Sequence, residues 1–197
     1  MINYTGMKAE AGSTKYPMLP EGGYVAVVKA VKIEGSAPAQ RLVIRLDVSE
    51  GEQKGYFTNR YNSDKAKGGQ YEVKYKGDYS LLIPNDQNAN DAWPMTTLRR
   101  FNDMIWRFEG SNQGYHWDGD ETKLVGKTIG INMQLGTYND SEYTKIGRLE
   151  IADDVRAGKV QPMKPAKPRY SDGYDGGAVN TDPQSGFTDV SSVDVPF

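Results

Sequence analysis

The chain has 197 residues, a hydrophobic content of 37%, a charged content of 25% and no cysteine. The missing cysteines exclude disulfides, thiolate metal sites and cysteine nucleophiles, and the low apolar share implies that part of the chain lies outside any core. The net charge of −2 hides an asymmetry: all 24 Lys and Arg lie between Lys8 and Arg169, giving a body of +3, while the last 28 residues carry Asp172, Asp175, Asp182, Asp189, Asp194 and no base.

A weakly basic body joined to an acidic end fits either a nucleic-acid partner or a solubilising tail. The N-terminal residues have no apolar leader core, and no apolar run reaches 18 residues, so a cytoplasmic protein without a membrane span is expected. Residues 1–18 read as an arm. Residues 19–34, "LPEGGYVAVVKAVKIE", open on a Pro/Gly turn and continue as a first strand long enough to bend or bulge. Residues 40–50, "QRLVIRLDVSE", alternate: Leu42, Ile44, Leu46 and Val48 share a core face, and Arg41, Val43, Arg45 and Asp47 a wet, basic one. "GEQKG" is a turn, and "YFTNRY" (56–61) reads as a third strand. The stretch 62–80 is rich in Lys, Gly and Tyr with little apolar content, which reads as either a functional or a disordered loop, in which "YEVKYK" could form a short hairpin arm. "SLLIP" (80–84) is an apolar strand fragment.

From Thr96 to Phe108, Leu98, Phe101, Ile105 and Phe108 recur at helical spacing, with Thr96 or Thr97 as cap and "EGSNQG" as terminator. Residues 123–138 and 142–155 read as two further strands around "NDS". After Val155 the pattern stops. Five of the ten prolines lie between Pro162 and Pro196, and residues 158–197 lack the apolar period needed to offset ordering entropy, which predicts a flexible acidic tail. The chain thus reads as mainly β: a five-stranded Greek-key barrel of the OB type over 19–157, with one helix between strands 3 and 4. Such barrels bind oligonucleotides or oligosaccharides on one face and its flanking loops.

Binding unpaired strands requires cations along the phosphates and aromatic faces for the bases. The candidates are Arg41 and Arg45 on the second strand, Tyr56, Arg60 and Tyr61 on the third, Lys65, Lys67, Tyr71, Lys74, Tyr75 and Lys76 in the loop, and Tyr143 and Lys145 on the last strand. Each has a plainer reading: tyrosines fit half-buried strands, one of Tyr56 and Phe57 must face inward, and lysines solubilise loops. Trp93, Trp106 and Trp117 read as packing. Catalysis finds little support. His116 is the only histidine and, without cysteine, anchors no zinc site; no phosphate-cradling, zinc-protease or serine-hydrolase motif occurs. Asp153-Asp154 and "DGDE" (118–121) read as solvated turns. Neither a cofactor nor a metal is expected.

Two stretches resemble known families. The end, Asp194-Val195-Pro196-Phe197 after a Gly/Pro-rich linker, resembles the tip of bacterial single-stranded DNA-binding proteins, with Val in place of the family's Ile and with only Asp189 and Asp194 as nearby acids. "LPEGGYVAVVKAVKI", "RLVIRLDVSEGEQKGYFTNRY", "TTLRRFNDMIWRFEGSNQGYHWDGD" and "LVGKTIGINM" look like phage- and prophage-encoded single-stranded DNA-binding proteins of Gram-positive hosts, over roughly residues 19–160. The resemblance implies an OB fold, a role in phage DNA replication or recombination, and a tip (Asp189, Asp194, Val195, Pro196, Phe197) that recruits host or phage replication and recombination proteins. A strand-annealing or recombinase-loading factor, and an OB-like structural or carbohydrate-binding module, stand as alternatives. A homo-oligomer is expected, since one barrel covers only about 4–16 nucleotides.

Overall fold

The alternation of the second strand organises the sheet. In the computed structural model, which describes residues 16–68, 72–90 and 96–168, β2 (Arg41–Val48) buries Leu42, Ile44, Leu46 and Val48 in the core. β1 (Gly22–Glu34) pairs antiparallel with it, and a bulge between Val28 and Ala30 lets this long strand bend. The first half of β1 also pairs with β4 (Thr128–Tyr138), and β4 pairs with β5 (Ser141–Glu150). β3 (Asp78–Leu82) adds to the outer side of β2. The result is a five-stranded antiparallel sheet in the order β3-β2-β1-β4-β5. The β4–β5 hairpin turns through Asn139 and Asp140, both at positive φ (44° and 62°), the geometry a two-residue hairpin favours.

The expected third strand is a helix. Residues Tyr56–Ala66 form α1, and the strand that follows β2 in the sheet comes instead from Asp78–Leu82. Two physical reasons decide it. Tyr56 and Phe57 are both buried, at 4% and 2% exposure; adjacent strand residues face opposite ways, whereas the first turn of a helix can turn both toward one core. After Thr58 the segment also contains no β-branched residue. The "YEVKYK" arm is not seen either, since residues 72–77 carry no strand.

The expected helix is α2, Thr97–Ser111, and Thr96 caps it by accepting from the Arg99 amide at 3.3 Å. Its buried face is Thr97, Phe101, Met104 and Phe108. The face is rotated from the expected stripe: Met104 enters the core, Ile105 packs at its margin, Leu98 is 43% exposed, and Trp106, expected as packing, is 58% exposed. α2 packs against β3, β4 and β5. A 3₁₀ turn (Glu121–Leu124) precedes β4, and a short α3 (Ala152–Arg156) follows β5.

The segment after α3, expected to begin the tail, lies against the sheet. Val160, together with Val155 of α3, covers Gly23, and Met163 lies over Gly147. The Asn132 amide donates to the Gln161 carbonyl (2.9 Å), the Gln134 amide to the Lys164 carbonyl (2.8 Å), and the Ala166 N–H to the Leu135 carbonyl (2.8 Å). No helix among the described residues is long and apolar enough to cross a membrane.

Candidate nucleic-acid interface

The helical start at Tyr56 rests on a residue from the neighbouring strand. Asp47, expected on a wet face, is 3% exposed. Its Oδ1 accepts from the Phe57 and Val48 amides, both at 3.0 Å, and its Oδ2 from the Thr58 hydroxyl at 2.5 Å. Gly55 precedes the helix at φ 75° and offers no side-chain cap, so the orphan amide of the first turn is satisfied from β2.

The helix then sorts its residues into two rows at four-residue spacing. Phe57, Tyr61 and Lys65 form the first, running from core to solvent: buried, half-buried and exposed. Tyr56, Arg60 and Asp64 form the second. Tyr75, arriving from the loop, lies along the first row, with its ring 6.3 Å from Phe57 and 5.9 Å from Tyr61, centroid to centroid. Its hydroxyl donates to the Leu46 carbonyl at 3.1 Å and lies 3.3 Å from the Thr58 hydroxyl. Burial, reinforced by the Asp47 and Asp78 carboxylates and opposed by the Thr58 hydrogen bond, pushes the Tyr75 hydroxyl up to about 12, so it remains a neutral donor.

Arg45 completes the arrangement. It lies on the face of β2 away from the core, directly opposite Asp78 in register. Its Nε and Nη2 donate to the two Asp78 oxygens at 2.9 and 3.0 Å, and this pairing raises its pKa despite partial burial. The guanidinium carbon lies 4.7 Å from the Tyr75 ring centroid, and the Lys65 ammonium 5.9 Å from that of Tyr61. The order is cation, aromatic, aromatic, cation: Arg45, Tyr75, Tyr61, Lys65. Gly77 makes the approach of the loop feasible, because a Cβ there would fall 2.4 Å from the Leu46 carbonyl oxygen and 2.7 Å from the Phe57 ring.

Other expected residues fall elsewhere. Tyr56 is structural: its hydroxyl donates to the Pro17 carbonyl at 2.8 Å and accepts from the Leu19 amide at 2.9 Å. Arg60 donates to that hydroxyl at 3.3 Å and lies 3.8 Å from Asp64, with its Nε buried and lacking a hydrogen-bond partner. Lys67 pairs with Asp64 at 3.0 Å. The Lys76 ammonium is held below its ordinary pKa by desolvation, then by neighbouring Arg60 and Lys74, which gathers three cations at the foot of the loop. Arg41, the first residue of β2, shares its outer face with Arg45 four residues on, and desolvation lowers its pKa. Tyr143 and Lys145 are on β5, at the other edge of the sheet order, with Tyr143 lying over Gly136. Tyr71, Trp93 and the tip residues Asp189, Asp194, Val195, Pro196 and Phe197 lie outside the described residues. Trp117 packs edge-on against Phe101, with centroids 6.0 Å apart.

Two residues of the arrangement are absent from the sequence expectation, Asp47 and Asp78. Asp78 sits in "KGDYS", which reads as loop, and no pattern in the sequence marks it; for Asp47 the signal is its place four residues before Gly51, which begins the turn ahead of α1. Half-exposed tyrosine rings flanked by cations can hold flat, anionic polymers. Among the described residues no cluster of His, Asp or Glu is arranged to bind a metal. No protein-family model matches the sequence, and no curated protein matches it significantly.

Proposed function

We propose that this protein binds single-stranded DNA, with the Arg45–Tyr75–Tyr61–Lys65 row as its central contact. That row is the observation that carries the reading. Unpaired bases offer flat faces to tyrosine, each stack contributing roughly 1–3 kcal/mol, while cations track the backbone. The bases of a duplex are already stacked on one another and offer no such faces. The strand order supports an OB-type barrel laid open between β3 and β5, with α2 packed against both edge strands. Arg60, Lys74 and Lys76 extend the positive surface beside the row. The stretch Asp194-Val195-Pro196-Phe197 serves as a handle, with Phe197 filling an apolar pocket on a replication or recombination protein.

The test is fluorescence anisotropy with labelled oligo-dT and a duplex of equal length, each across a salt series. Single strands are expected to bind more tightly, with affinity falling as salt rises because phosphate contacts release counterions. Equal affinity for both, or insensitivity to salt, refutes the reading.

A further inference from the structure

The Arg45–Asp78 pair carries one further step. The two residues oppose each other across β2 and β3 on the face turned from the core. Both carboxylate oxygens engage the guanidinium, in the fork geometry that arginine also offers to phosphate. Arg45 is the more exposed partner, its side chain 34% accessible against 14% for Asp78. The cation at one end of the aromatic row therefore already holds an anion, and its guanidinium carbon lies 4.7 Å from the Tyr75 ring centroid.

We propose that Asp78 is an internal counterion that competes with DNA phosphate for Arg45 and thereby sets the affinity and salt dependence of the interface. This rests on the single-strand-binding reading above. While the pair holds, Arg45 acts as a planar extension of the Tyr75 platform, a use for which its delocalised guanidinium is suited. A phosphate reaching Arg45 must displace Asp78 and leave a largely covered carboxylate unpaired, which is costly. Removing the carboxylate charge abolishes that competition.

The experiment compares the full chain with its Asp78→Asn variant in oligo-dT anisotropy, over salt from about 50 to about 300 mM, the range in which phosphate contacts are most visible. Asp78→Asn is expected to bind at least about threefold more tightly at the low end, the scale of one partly exposed ion pair. Its plot of log affinity against log salt is expected to steepen by about 0.7, one added single-strand phosphate contact. Adding Arg45→Met should remove both gains. Arg45→Lys alone keeps the charge but cannot hold the fork, and should also steepen the slope. An unchanged or weaker Asp78→Asn interaction, or gains that survive Arg45→Met, overturns the proposal. A folding defect cannot imitate it, since misfolding lowers affinity. If the unaltered chain fails to bind single strands, both readings fall; if it binds and Asp78→Asn shows no gain, only this one does.

Discussion

Replacing Asp47 with Ala tests whether α1 depends on a cap supplied from β2. The carboxylate is 3% exposed and serves two backbone amides and one hydroxyl. Losing a helix cap costs about 0.5–2 kcal/mol, and a buried amide left without an acceptor costs about 1–3 kcal/mol. These describe overlapping parts of one loss, because the Phe57 amide is itself the capped group, and the Thr58 hydroxyl keeps Tyr75 as a neighbour at 3.3 Å. The expected penalty is therefore about 1–3 kcal/mol, a sizeable share of the roughly 5–15 kcal/mol that holds a typical domain together. Asp47→Asn keeps one oxygen facing the two amides and should cost about half as much. Urea unfolding at neutral pH, followed by circular dichroism, reads both variants, with the m-value checking that the unfolding reaction is unchanged. Because Tyr61 and Lys65 ride on α1, ssDNA affinity should fall along with stability. A loss below about 1 kcal/mol for Asp47→Ala, with α1 intact, refutes the claim that β2 caps this helix.

Tyr61→Ala removes a half-exposed ring with no hydrogen bond to the core, and should weaken oligo-dT binding about tenfold or more with little change in melting temperature; full affinity would show that this ring is no base platform. Gly77→Ala places a methyl group 2.4 Å from the Leu46 carbonyl oxygen and 2.7 Å from Phe57, and should cost about 3 kcal/mol or more in urea unfolding; a neutral result would mean that the loop approaches β2 less closely. Glu50 accepts from Arg156 at 2.6 Å, and this hydrogen bond lowers its pKa below the ordinary 4.5. A depressed carboxylate contributes stability above its unfolded pKa and loses it as pH falls through the folded value. Glu50→Gln should accordingly cost no more than about 0.5 kcal/mol at pH 7, since the pair is exposed, and the difference from the unaltered chain should vanish in acid; a gap persisting below the folded pKa would rule out ion pairing as its source.

Much of the sheet is legible in the sequence because its strands have one core face. Leu42, Ile44, Leu46 and Val48 alternate without interruption, and Asn139-Asp140 supplies the turn chemistry for the last hairpin. α1 is not legible in this way. Its two large apolar residues are adjacent, a spacing shared by a strand and by the first turn of a helix, and what separates the two is Asp47, distant by ten residues and placed by β2. The α2 face is legible only to within one position, since Met104 and Ile105 are both apolar and only tertiary packing decides which is buried. The docked segment 158–168 was hidden for another reason: it is held largely by backbone groups and by side chains meeting glycines, and neither leaves a hydrophobic period.

The correction at α1 sharpens the candidate site. As a strand, 56–61 would send Tyr56 and Tyr61 to opposite faces and leave Lys65 in an unrelated loop. As a helix, it aligns Phe57, Tyr61 and Lys65 at four-residue intervals, so a single row begins in the core and ends in solvent. Phe57 anchors the row, and Tyr75 packs beside both of its aromatic members. Tyr56 and Arg60 rotate onto the adjacent row, where the tyrosine hydroxyl is committed to Pro17 and Leu19. The same rotation separates half-exposed Tyr61 and exposed Lys65 from buried Tyr56, which holds the domain. Tyr61 and Lys65 should therefore change binding without changing stability, whereas Tyr56 should change stability first.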